Sequence, residues 1–112
     1  MEILFRDDRL ERCCRTKSSR EQTWGTSARL VARRLFELSA MANFGDAALL
    51  PGVGLDPDSV AGRYRVRCMD GIELVLRPTL EGGAEPESGK DVRSLTTVIV
   101  DEVSVIPPKG GD

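Results

Sequence analysis

A chain of 112 residues, 40% hydrophobic and only 4% aromatic, has the size of one domain and must build its core from Leu, Val, Ala and Ile rather than from large rings. No apolar run approaches the roughly 20 residues of a membrane-spanning helix, so a soluble protein with no membrane partner is expected, and the acidic opening Met1-Glu2-Ile3-Leu4-Phe5-Arg6-Asp7-Asp8 is unlike an export signal. Three cysteines, two of them adjacent at Cys13 and Cys14, form neither an even disulfide framework nor a metal-ligand spacing, so a reducing cytoplasm with no metal or other cofactor is expected.

The formal net charge of −2 hides an asymmetry along the chain. Residues 1–44 carry nine Lys/Arg against six Asp/Glu and residues 61–77 carry four against two, whereas residues 45–60 hold three acids and no base. Residues 78–112 carry three bases against seven acids. A basic face on an acidic protein is compatible with this split, and so is an ordinary solvated surface.

Glu2 to Phe5 predicts a first strand, and Asp7 or Asp8 can cap a helix running to about Arg15, because a carboxylate there accepts the orphan amide protons of the first turn. The polar stretch Thr16-Lys17-Ser18-Ser19-Arg20 predicts a loop. Trp24, Ala28, Val31, Leu35, Leu38 and Ala42 recur at helical spacing and predict a second helix from about Glu21 or Thr26 to Met41, packed through that stripe. Its other face is basic, with Arg29, Arg33 and Arg34. A short helical turn fits Asn43 to Leu50, and Pro51-Gly52-Val53-Gly54 opens a loop through Pro57 to Gly62.

Arg63-Tyr64-Arg65-Val66-Arg67-Cys68 alternates strictly and precedes Ile72-Glu73-Leu74-Val75-Leu76-Arg77, the pattern of a β-hairpin. A two-residue Asp70-Gly71 turn would set Arg67 against Leu74 and mix charge with hydrocarbon on both faces. A three-residue Met69-Asp70-Gly71 loop, with Gly71 left-handed, instead sets Cys68 against Ile72, Val66 against Leu74 and Tyr64 against Leu76. All the arginines then share the other face, with Arg67 opposite Glu73 as a cross-strand ion pair.

Residues 79–94, rich in Gly, Glu, Pro and Ser, predict a long acidic loop. Leu95 to Ile106 predicts the longest and most buried strand, and Pro107 to Asp112 a frayed tail beyond a single domain of residues 1–106. Strand, two helices and a three-stranded meander imply an α+β fold: an antiparallel sheet with the N-terminal strand and helices packed on it.

This layout resembles the RelE/ParE toxin superfamily, and several segments are similar to its HigB-like, plasmid-maintenance killer branch. The resembling stretches are the helix Ala32-Arg33-Arg34-Leu35-Phe36-Glu37-Leu38, the turn Leu50-Pro51-Gly52-Val53-Gly54-Leu55-Asp56-Pro57, the hairpin opening Gly62-Arg63-Tyr64-Arg65-Val66-Arg67, and the final strand from Leu95 to Val103. The resemblance implies a bacterial toxin that cleaves messenger RNA at the ribosome. It also implies a cognate antitoxin, often of helix-turn-helix type, that holds the toxin inactive.

The chain departs from that pattern at its chemistry. Asp56 stands where the family has His before Pro, Glu73 where the second hairpin strand carries Arg, and Val105-Ile106-Pro107 where the final strand ends Asp-Tyr-His. The 112 residues contain no histidine, so imidazole from this chain is neither acid nor base. What remains is Arg63, Arg65, Arg67 and Arg77 as RNA-phosphate ligands, with Arg65, Arg67 and Glu73 as the candidate catalytic groups and Asp56 as an alternative base. A catalytically degenerate member that binds an antitoxin or RNA without cutting is the other expectation. Tyr64 and Trp24 read as core, and the cysteines as small buried hydrophobes or free thiols.

Overall fold

The computed structural model describes residues 1–49, 54–67, 71–87 and 91–105. Its α-helices are α1 (Asp8–Arg15), α2 (Lys17–Trp24) and α3 (Ala28–Ser39), and its strands are β1 (Glu2–Phe5), β2 (Gly54–Pro57), β3 (Tyr64–Arg67), β4 (Ile72–Thr79) and β5 (Thr97–Val105). The fold is α+β, with the strands in the order β1-β5-β4-β3-β2.

The first helix begins where the sequence places it. Asp7 is extended, and its carboxylate accepts from the Leu10 amide at 2.8 Å, the side-chain cap that the free amides of a first turn require. The expected loop at residues 16–20 is a correction: only Thr16 is extended, and α2 starts at Lys17. Polar residues all round give α2 no apolar stripe to read. Its anchors are tertiary, with Trp24 packed on the core and the Arg20 guanidinium donating to the Cys14 carbonyl at 2.7 Å, which caps the end of α1.

Of the two starts open for the next helix, the one near Thr26 holds: that helix is α3, while Glu21 lies in α2. Gly25, at φ +57°, ends α2, and a 3₁₀ turn over Gly25–Ser27 leads into α3. The apolar stripe survives the break. Ala28, Val31 and Leu38 are buried and Trp24 and Leu35 lean on the same cluster, but Ala42 is exposed.

The hairpin has the register the alternation demands: Tyr64 opposite Leu76, Val66 opposite Leu74 and Arg67 opposite Glu73. Gly71 takes φ +75°, a left-handed conformation that costs glycine nothing sterically. Cys68, Met69 and Asp70 lie outside the described residues, so the expected Cys68–Ile72 pairing does too. One sheet face thus carries Val66, Ile72, Leu74 and Leu76 into a core shared with Val31, Leu38, Phe44, Val98 and Val100. Tyr64 joins it with its ring centroid 5.2 Å from that of Phe44.

Four features of the sheet correct the expectation. Gly54–Pro57, expected as loop, is the edge strand β2, antiparallel to β3. The sheet is mixed, because β1 runs parallel to β5 with Leu4 beside Ile99. β4, not β5, is the more uniformly buried strand, while β5 is the longer, at nine residues against eight.

The fourth is a bulge. Leu76 opposes Val100 but Val75 opposes Glu102, so Asp101 is the extra residue of β5. Val98 and Val100 enter the core before it, and Val103 and Val105 pack against the core after it. The inserted residue switches the parity of the alternation, so both pairs face inward and Asp101 and Glu102 both turn to the other face.

Candidate functional site

Residues of β3 and β4 that do not enter the core point to the opposite sheet face. There Arg65 and Arg67 on β3 meet Glu73, Val75 and Arg77 on β4, and Arg63 precedes β3 at its open end. The four arginines named from the sequence are therefore brought together. They do not stand alone, because β2 and the β5 bulge bring acids to the same surface.

Asp58, just after β2, is almost fully covered, with its side chain 2% exposed. One of its oxygens accepts from Arg65 Nε at 2.6 Å, and the other lies 3.4 Å from Arg63 Nε. Asp101, 7% exposed, accepts from Arg77 Nε at 2.6 Å and lies 3.7 Å from Arg63 Nε. Arg65 Nη1 reaches Glu73 at 2.5 Å, and Arg63 Nη2 lies 3.8 Å from Glu102. Glu73, Arg65, Asp58, Arg63, Asp101 and Arg77 thus form one chain of alternating charge across β3, β4, β5 and the segment that links β2 to β3.

The expected Arg67–Glu73 ion pair is replaced by a diagonal one. Although the two backbones are opposite, Glu73 bonds Arg65, and Arg67 bonds Asp56 through Nη2 at 2.5 Å. Long side chains lean along the strand, so a register alone does not select between the direct and diagonal partner. Arg67 is the most exposed of the four, at 64%, and its pair is open to water.

The electrostatics follow the hydrogen bonds. The Arg65 guanidinium holds the Asp58 carboxyl below its ordinary value, with the Val60 amide adding to the effect against the cost of burial. The Asp58 carboxylate in turn raises Arg65, and Asp101 raises Arg77. Val75 lies on this face between Arg65 and Glu102 yet is 1% exposed, a position for which the aliphatic stems of neighbouring arginines are the natural cover.

The sequence pointed to the arginines and missed Asp58, Asp101 and Glu102. Asp56 and Asp58 alternate with the same period as Arg63, Arg65 and Arg67, which is the strand signal that Pro57 obscured. Asp101 was legible too: Val98 and Val100 share one parity and Val103 and Val105 the other, and only an inserted residue reconciles them.

Among the described residues, no group of three or more His, Cys, Asp or Glu is placed to hold a metal ion, and no helix is long and apolar enough to cross a membrane. Comparison of the chain with protein-family models, with curated proteins and with solved structures finds no match.

Proposed function

We propose that the chain is the toxin of a bacterial toxin–antitoxin pair, a HigB-like member of the RelE/ParE superfamily whose open sheet face meets messenger RNA at the ribosome. The observation that carries the proposal is the hairpin register, which sets Arg63, Arg65, Arg67 and Arg77 on one face, turned away from the helices. The helix, turn and hairpin segments that resemble the branch support it from the sequence side.

In this reading the RNA phosphates replace carboxylates on the guanidinium groups. Arg67 exchanges first, since its partner Asp56 is half exposed. Glu73, held by Arg65, takes the 2′-hydroxyl proton, the 2′-oxygen attacks phosphorus, and Arg65 and Arg67 offset the charge that develops there. The 5′-oxygen leaves with a proton from solvent, because no imidazole of this chain is present to supply one.

A second reading is favoured by a specific observation: each of the four arginines already has a carboxylate partner, and Asp58 and Asp101 are covered. A face of four arginines and five carboxylates, Asp56, Asp58, Glu73, Asp101 and Glu102, suits a binding module that has lost cleavage. One experiment separates the two. On the first, induced expression without a partner arrests growth, ribosome-bound messenger is cut, and Arg67→Ala abolishes the cuts. On the second, the protein is tolerated and leaves messenger intact while still binding RNA or its partner.

A further inference from the structure

Among the described residues, the Lys and Arg side chains that have no carboxylate are not on the sheet. Among the described residues, Arg9, Arg12, Lys17, Arg29 and Arg33 make no ion pair, and all five are exposed on the helices. Residues 8–39 carry eight Lys/Arg against four Asp/Glu. Among the described residues, the positive charge without a carboxylate partner lies on the helical layer.

That charge rims a groove between α2 and α3, about 740 Å³ in volume. Lys17 and Arg20 line it from α2 and Arg29 from α3, with Glu21 as the one acid among its described lining residues. Arg20 is held in place by its bond to the Cys14 carbonyl, so one cation of the rim is fixed before any ligand arrives. The floor is aliphatic, built from Ala28, Leu30 and Ala32, of which Leu30 and Ala32 are half-buried.

We propose that this groove docks an acidic amphipathic helix of a partner protein. Carboxylates of such a helix complement Lys17, Arg20 and Arg29, and its leucine-like face covers the part of the floor left exposed at Leu30 and Ala32. A phosphodiester backbone satisfies the cations but leaves the aliphatic floor without an occupant. The proposal stands apart from the sheet-face reading. If both hold, the segment belongs to the silencing partner, and partner and RNA occupy opposite layers of the molecule.

The test uses the full chain and a labelled synthetic peptide of about 20 residues, leucine on one helical face and glutamate elsewhere, with a lysine-for-glutamate peptide and polyuridylate as comparisons. Saturable binding of the acidic peptide, weakened about tenfold or more by the Lys17→Glu/Arg29→Glu double substitution and untouched by Arg67→Glu, is the expected result. Lys17→Gln and Arg29→Gln guard against a folding defect and are expected to weaken binding by a smaller factor in the same order. Failure of the acidic peptide to bind, or indifference to both pairs of substitutions, overturns the proposal. So does polyuridylate binding that depends on Lys17 and Arg29 more than peptide binding does, since the groove is then a polyanion site. Growth arrest on induction, read separately, decides the sheet-face reading and is unaffected by either outcome.

Discussion

Asp101 sits at the extra position of the β5 bulge and accepts a 2.6 Å hydrogen bond from Arg77 Nε. The bulge and the ion pair depend on each other. Only the inserted residue turns this carboxylate to the arginine face, and only an arginine partner makes its burial tolerable.

Asp101→Ala removes the carboxylate from Arg77 and from one side of Arg63. Breaking a fully buried pair costs about 3–5 kcal/mol, but Arg77 is 40% exposed and can turn to water, so a loss of about 1–2 kcal/mol is expected. Asp101→Asn keeps one acceptor oxygen and is expected to lose less. Urea unfolding midpoints of the two variants check the order; equal stability of Asp101→Ala and the parent would show that the bulge stands without its ion pair.

The pH dependence has a definite sign. Asp58 is held below its ordinary value of 3.8, so its contribution is fully present above that pH and is lost as pH falls through its lower folded value. Asp7, lowered chiefly by the Leu10 amide, and Asp91, lowered chiefly by Arg93, act in the same window. Stability is therefore expected to fall as pH drops below about 4, and Asp58→Asn to fall less steeply. Thermal unfolding from pH 5 downwards measures it, and parallel curves for the two proteins would remove Asp58 from the account.

Leu38 and Phe36 lie two residues apart on α3 and differ in what they touch. Leu38 is 2% exposed within the core, whereas Phe36 is 72% exposed. Leu38→Ala is expected to cost about 2–5 kcal/mol and Phe36→Ser less than about 0.5 kcal/mol. Denaturant titration compares them, and similar losses would mean that the inward face of α3 is misassigned.

Burial pushes the Cys14 thiol up to about 11, leaving almost no thiolate at neutral pH. In a Cys68→Ser background at pH 8, iodoacetamide is expected to modify the half-buried Cys13 while Cys14 reacts only after denaturation. Peptide mapping by mass spectrometry reads both sites, and rapid modification of Cys14 in the folded chain would contradict its burial.

For RNA on the sheet face, each phosphate contact contributes to the salt dependence of binding. Arg67→Ala is expected to lower the log–log salt slope for single-stranded RNA by about 0.7, with a stability change below about 0.5 kcal/mol because its pair with Asp56 is open to water. Binding that is insensitive to salt and to Arg67 would leave this face as solvated surface.

Local physics was readable in the residues themselves. A cap at Asp7 or Asp8 was marked by residue type, and the apolar stripe through Val31 and Leu38 and the hairpin register were determined by spacing, because side chains of one period must share one face. Even the α2–α3 break had its marker in Gly25. What only the tertiary structure decided was pairing between distant segments: β1 beside β5, β2 beside β3, and the choice of Arg65 over Arg67 by Glu73. Such pairings depend on chain ends and bulges meeting across tens of residues, and on side chains selecting among partners of nearly equal energy. The arginines were therefore visible in the sequence as a row of positive charge, while the carboxylates that neutralise the row appear beside it only when β2 and the β5 bulge close onto the hairpin.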